Sequence, residues 1–442
     1  MRGSRGSIRM FVMAMLDQDS VKSDSLHSTT AGNSLTPSRR IVAVLLGAAA
    51  SLYVLVEVVS GLAAVTAQDF WGLGYGSVGP ALVFGLAGAV SVPAGKLSDR
   101  IGRRPVITLG FTIAAMGAAG VWLSVVLHWA VVFLVALVLI GVGVGILRLV
   151  KAAAADIYPS HGRTKGIGLV QMGALGGAWL GLAIAVVSRI HAHTPAFPWM
   201  ATTGILVIGA AMMQWLLRPD TLALARAVGE PTSLVKTESN STLGRPLYKI
   251  LSETPAISAV LVTICMVYGV MVMDMSLAGI MLVGMGSNAQ TIMMVMAIHF
   301  TGMFGPMRWA GRWAAHYNRK YLGIAGLTLV MVASAAMGFA PVGVVALTGY
   351  LFLIGLGWCV AWIAGLGELM DYARCNERGA LMGLADMGSD LLAALIVVGG
   401  GAVLAVYQAK GFAFMGSFAM LGALMVALKW WPHASSHATY NG

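Results

Sequence analysis

Long apolar runs alternate with short polar breaks along almost the whole chain. A helix that crosses a bilayer needs roughly 20 apolar residues, and the pattern predicts such helices over residues 42–67, 78–95, 106–127, 129–151, 166–189 and 198–217. A polar stretch rich in Ser, Thr, Pro and charge follows from Arg218 to Thr254. Six more runs come at 255–283, 289–307, 321–339, 343–366, 380–403 and 411–431. The fold class expected is an all-α polytopic membrane protein, with twelve transmembrane helices in two six-helix halves, 42–217 and 255–431. A central linker at 218–254 joins them. Residues 1–41 read as a disordered tail, Ser/Thr-rich and without the apolar core and cleavage site of a secretory signal, and 432–442 as a short polar tail.

Composition agrees. Of 442 residues, 58% are hydrophobic and only 10% charged, against roughly a quarter charged in soluble domains. The lipid bilayer is therefore the solvent for much of this surface. A formal charge of +11 raises the question of a nucleic-acid partner, but the basic residues sit in short clusters between apolar runs. They fall in the loops at 96–105, 152–165, 218–254, 308–320 and 367–379, the positive-inside pattern of cytoplasmic loops. Both termini are then expected to be cytoplasmic, in a bacterial inner membrane, with no nucleic-acid partner. Cys265, Cys359 and Cys375 include no C-x-x-C pair and suggest no disulfide framework. No phosphate loop, nucleophile elbow or catalytic dyad points to an enzyme.

The two halves repeat. Gly95, Asp99, Arg100, Gly102, Arg103 and Arg104 follow the second run, and Gly311, Arg319 and Lys320 match Gly95, Arg103 and Arg104 at an offset of 216. At an offset of 215, Asp156 aligns with Asp371 and Met172-Gly173 with Met387-Gly388. Such landmarks at one offset indicate an internal duplication. The segment from Gly95 to Arg104 matches G-x-L-x-D-R-x-G-R-R at every defined position, and so resembles the signature loop of the major facilitator superfamily. The resemblance implies that Asp99 faces the start of the eleventh helix, where the helix dipole favours a carboxylate, and that the basic residues stabilise one state of a rocking cycle.

Polar groups at membrane depth are costly and mark candidate sites. Those in the predicted spans are Glu57, Arg148, Lys151, Asp274, His299, Asp386 and Asp390. Arg148 and Lys151 lie near the predicted inner end of helix four and are expected to snorkel. Glu57 lies mid-helix. It is a candidate for proton coupling, the alternatives being a structural pairing with Arg148 or a hydrogen bond within the bundle.

Methionine is concentrated unevenly. Of 28, eleven fall between Met266 and Met307, where an even spread gives about three. Many such residues, Met273, Met293 and Met294 among them, fit as gap-fillers in helix packing. Met271 and Met275 are spaced i, i+4 on helix seven, as are His299 and Met303 on helix eight, so each pair stacks on one face. At about 1.5 Å per residue, Met271 and His299 fall near the same depth. Thioethers select Cu(I) and imidazole accepts copper. These four residues resemble the paired motifs of the facilitator-type, CcoA-like copper importers, which feed copper to assembly of the C-type haem–copper oxidase. That resemblance implies a copper importer with Met271, Met275, His299 and Met303 as transient ligands, Cys265 as an accessory thiol, copper as cargo and no cofactor. It also implies a cytoplasmic copper chaperone or an oxidase assembly factor as partner. The rivals are a facilitator for a small organic solute or drug, and a copper-binding scaffold that transports nothing. Ala136 and the Gly173–Ala178 segment, which lacks Pro, depart from the drug–proton antiporters.

Overall fold

The computed structural model describes residues 38–63, 66–67, 70, 78–159, 162–188, 196–227, 246–253, 255–287, 289–339, 343–374 and 376–431. Most of the N-terminal tail, the C-terminal tail, the centre of the linker and Cys375 lie outside the described residues. Every regular element among the described residues is helical, and ten of those helices are long and apolar enough to cross a membrane. Val78–Ile101 and Ala289–Phe304 supply spans two and eight and complete the twelve-helix plan.

Most boundaries follow the hydropathy pattern, and the exceptions have local causes. Span eight stops at Phe304 rather than at 307, because Pro306 has no amide hydrogen to donate and disfavours helical geometry in the residue before it. Span four runs over Ala130–Leu147, breaks at Arg148-Leu149 and resumes as Val150–Asp156. It therefore extends past the expected end at 151. Span five begins at Arg163 and runs to Val187, with the regular helical pattern interrupted only at Met172, between Arg163–Gln171 and Gly173–Val187. The linker contains two short helices, Thr221–Ala227 and Leu247–Glu253. Helical geometry continues over Arg378–Trp430, but the chain doubles back within it. A Cβ on Gly399 would lie 3.7 Å from the Met415 methyl. The two limbs, Arg378–Val397 and Ala413–Trp430, are spans eleven and twelve.

Lipid offers no hydrophobic drive between helices, so contact depends on small residues. Gly145 backs onto Ala87 and Gly177 onto Ala50. In the second half, spans seven and eight each pack along span ten and, among the described residues, make almost no contact with each other. The halves meet through two equivalent seams. Span two lies along span eleven, and the start of span five lies against the helix Met307–His316 that follows span eight.

Candidate functional site

The seams enclose a narrow cavity of about 50 Å³, lined from the first half by Tyr53, Arg148, Lys151 and Gln171 and from the second by Tyr268, Trp358, Trp362, Asp386 and Asp390. Measured as the space open to the centre of a water-sized sphere, that is room for a few waters, at about 10–15 Å³ each. Arg148 Nη1 lies 2.5 Å from Asp390 Oδ2, and Lys151 Nζ donates to Asp386 Oδ1. The Lys151 ammonium also sits 5.2 Å from the Trp362 ring centroid. Snorkelling was the expectation for these two cations, and the structure overturns it. Span four continues to Asp156, so Arg148 and Lys151 lie within the bundle, where carboxylates on span eleven neutralise them. The break at Arg148-Leu149, with Leu149 N donating to Ile146 O at 3.1 Å, sits beside the cavity. Structural pairing of Glu57 with Arg148 is likewise replaced by the Asp390 pair.

The duplication shows in the lining. Tyr53 and Tyr268 are related by the same offset of 215, as are Gln171 and Asp386. The frame is shared but its charges have diverged: both cations belong to the first half and both carboxylates to the second.

At the basic end the halves are locked together. Asp99 Oδ1 accepts from Gly379 N at 3.0 Å and Oδ2 from Ala380 N at 2.8 Å, capping span eleven as the signature loop implied. Gly95 permits this approach, since a side chain there would run into the Gly379 carbonyl. Gly102 has φ +107°, a conformation that favours glycine, and a Cβ there would meet Asp220 Oδ2 at 2.7 Å. Asp220 in turn accepts from Arg103 N at 3.2 Å and Arg104 N at 2.8 Å, a cap on span three that the sequence reading did not single out. Arg100 is exposed.

Behind the loop, Asp156 accepts from Arg103 Nε at 2.8 Å within its own half and from Arg378 Nη1 at 3.0 Å across the interface. Its repeat partner Asp371 does the same, with Arg319 Nη1 at 2.5 Å and, across the interface, Arg163 Nη1 at 3.1 Å. Arg103 and Arg319 are repeat mates at the offset of 216, and Arg163 and Arg378 at the offset of 215. The cluster is therefore a two-fold repeated lock that differs at its edges: Arg319 Nη1 also lies 3.5 Å from Glu368 Oε2, whose repeat mate at the offset of 215 is Ala153. The repeat mate of Asp99, at the offset of 216, is Ala315, which has no carboxylate to offer span five.

The expected copper ladder lies off the cavity. His299 is fully buried, with Nδ1 2.7 Å from Leu351 O on span ten and Nε2 without a partner among the described residues. Met303 is buried against Gly355, also on span ten. Met271 and Met275 follow Tyr268 by three and seven positions, which places them on the face of span seven that meets Trp358 and Trp362 of span ten. The two arms thus address span ten from different neighbours. Cys265 is buried, and its sulfur accepts from Ser389 Oγ at 3.6 Å. Glu57 is 7% exposed on span one beside Gly181 of span five, and its Oε1 has no partner among the described residues. Asp274 is buried away from the cavity, where Ser334 Oγ donates to Oδ1 at 3.2 Å. Sequence reasoning missed Tyr53, Tyr268, Gln171, Trp358 and Trp362; testing every residue against the 215 offset would have drawn out the first three.

Residues 45–398 match the family model described as Major Facilitator Superfamily. Two curated relatives come from Bacillus subtilis (strain 168). The uncharacterized MFS-type transporter YdeG is 25% identical over 73% of this chain and 75% of its own length. The uncharacterized MFS-type transporter YddS is 23% identical over 77% of this chain and 78% of its own. Among solved structures, the human organic anion transporter MFSD10 (TETRAN) aligns with a TM-score of 0.72 at 16% identity, covering 89% of this chain and 100% of that one. The proton:xylose symporter XylE aligns at 0.70 and 16% identity, covering 89% and 96%. At that identity the likeness concerns the fold alone.

Proposed function

The chain belongs to the Major Facilitator Superfamily, and from that premise we propose that it moves a small organic solute by alternating access through the cavity between its halves. The observation that carries this is the pair of cross-interface salt bridges, Arg148–Asp390 and Lys151–Asp386, at the centre of the cavity. Buried charges are retained at membrane depth chiefly for function, and a solute that takes over one partner loosens the halves where they must part. The loop charges support an orientation with both termini inside, and the Bacillus subtilis relatives support a bacterial cytoplasmic membrane as the location. Untargeted comparison of solutes taken up by cells carrying the wild type, Arg148→Gln or no copy tests the reading. A solute whose uptake depends on the gene and on Arg148 supports it; uptake that ignores Arg148 overturns it.

Glu57 is the coupling group in this scheme. Its Oε1 is buried without a partner among the described residues, and on this reading Glu57 takes up and releases the coupling proton as spans one and five move. Glu57→Gln, which mimics the protonated form, is expected to retain solute exchange at near wild-type rate. Gradient-driven accumulation should fall at least about tenfold, a loss of about 1.4 kcal/mol in coupling. Equal loss of exchange and accumulation in reconstituted vesicles counts against the assignment.

One observation favours copper as a second reading. Nδ1 of His299, held by the Leu351 carbonyl, leaves Nε2 as a buried lone pair with no partner among the described residues, the arrangement by which an outer contact orients a metal-binding imidazole. Met303, one turn along span eight, would supply a thioether beside it, while Met271, Met275 and the Cys265 thiol on span seven would form a separate station on the other side of span ten. Radiolabelled copper uptake decides it. On this reading His299→Gln and Met303→Leu abolish uptake while the protein stays abundant, since Met→Leu in a core usually costs less than about 1.5 kcal/mol. Uptake equal to that of cells without the gene ends the copper reading.

A further inference from the structure

The charge arrangement of the cavity selects a class of solute, and the inference rests on the cavity being the solute site. Two cations from one half face two carboxylates from the other, so the cluster is neutral as a whole. All four side chains are largely withdrawn from solvent, between 6% and 15% exposed. In so dry a place any unbalanced charge is heavily penalised. A solute with a net charge would leave one side chain without its counterpart. An uncharged solute could not replace the attraction that it interrupts.

A solute bearing one positive and one negative group escapes both penalties. Its carboxylate can take the Arg148 guanidinium, and its ammonium the Asp390 carboxylate, while Lys151–Asp386 stays closed. Every charge then keeps a partner and the sum remains zero. The aromatic wall fits the positive end. Trp358 and Trp362 stack at 5.5 Å, and Tyr268 lies 5.8 Å from Trp362. The Lys151 ammonium already rests 5.2 Å from the Trp362 ring centroid, so this wall accommodates a cation. We infer that the cavity takes a small zwitterion, an ammonium and a carboxylate on a short carbon chain, inserted between Arg148 and Asp390.

Binding to the full-length protein in lipid nanodiscs tests this with glycine betaine and two near-isosteres. In 3,3-dimethylbutyrate a carbon replaces the nitrogen and only the negative charge remains, whereas choline keeps only the positive one. Glycine betaine is expected to bind at least tenfold more tightly than either. The paired variant R148Q/D390N, neutral and therefore free of a stranded charge, should stay folded and lose that preference. Equal or tighter binding of 3,3-dimethylbutyrate or of choline overturns the zwitterion assignment, as does binding of none of the three. The cavity reading fails separately, when cellular solute uptake does not depend on Arg148. If uptake depends on Arg148 but the solute concerned is not zwitterionic, only the present inference falls.

Discussion

Arg148→Ala is expected to abolish transport and to lower the stability of the purified protein by about 3–5 kcal/mol, because it strands the Asp390 carboxylate in a buried site. The asymmetry between breaking a buried pair and removing it gives the experiment its power. Taking away one partner leaves a charge with no water and no counterion. Taking away both, as in Arg148→Leu with Asp390→Leu, leaves apolar side chains among Leu52, Leu147 and Trp358, which is often neutral for stability. The double variant should therefore recover most of the lost thermal stability and none of the transport. Lys151→Met and its double with Asp386→Leu should follow the same pattern, with an added loss from the Trp362 contact. If the double variants stay as unstable as the singles, the four residues hold the fold by packing alone and the pairs are not the gate.

The fate of these residues also shows where the sequence was legible. Apolar length, loop charge and the repeat offset predicted the twelve spans, the signature loop and the alignment of Asp156 with Asp371. These are local signals, or periodic ones. The cavity was not legible, because its partners lie 242 and 235 residues apart in the chain. Hydropathy placed Arg148 and Lys151 at a helix end because the strongly apolar run stops there. The helix resumes at Val150 because distant carboxylates neutralise those cations. Helical spacing likewise placed Met271, Met275, His299 and Met303 at similar depths. It could not show that span ten packs against both spans that carry them, because angular position around a bundle is set by tertiary contacts.

The repeated lock at the basic end makes the state of the transporter adjustable by single substitutions. Asp156→Asn removes the charge shared by Arg103 and Arg378, of which Arg378 is the link across the interface. Asp371→Asn does the same for Arg319 and Arg163. Breaking a buried pair is worth about 3–5 kcal/mol. If as little as about 1.4 kcal/mol of this falls on the closed state alone, the open fraction rises tenfold. Ser91, buried on span two beside Gly383 of span eleven, is a natural reporter position. In a background without native cysteines, Ser91→Cys should react with an impermeant maleimide applied from the basic side at least tenfold faster when either aspartate is changed. Ala315→Asp should act the other way. It places a carboxylate at the repeat position of Asp99, opposite the start of span five, and so adds the one cap that the second seam lacks. Labelling should slow, and turnover with it, since a cycle is delayed by overstabilising either state. An Asp156→Asn protein whose reporter thiol labels no faster, yet which unfolds several degrees earlier, would place the cluster in the fold and not in the cycle.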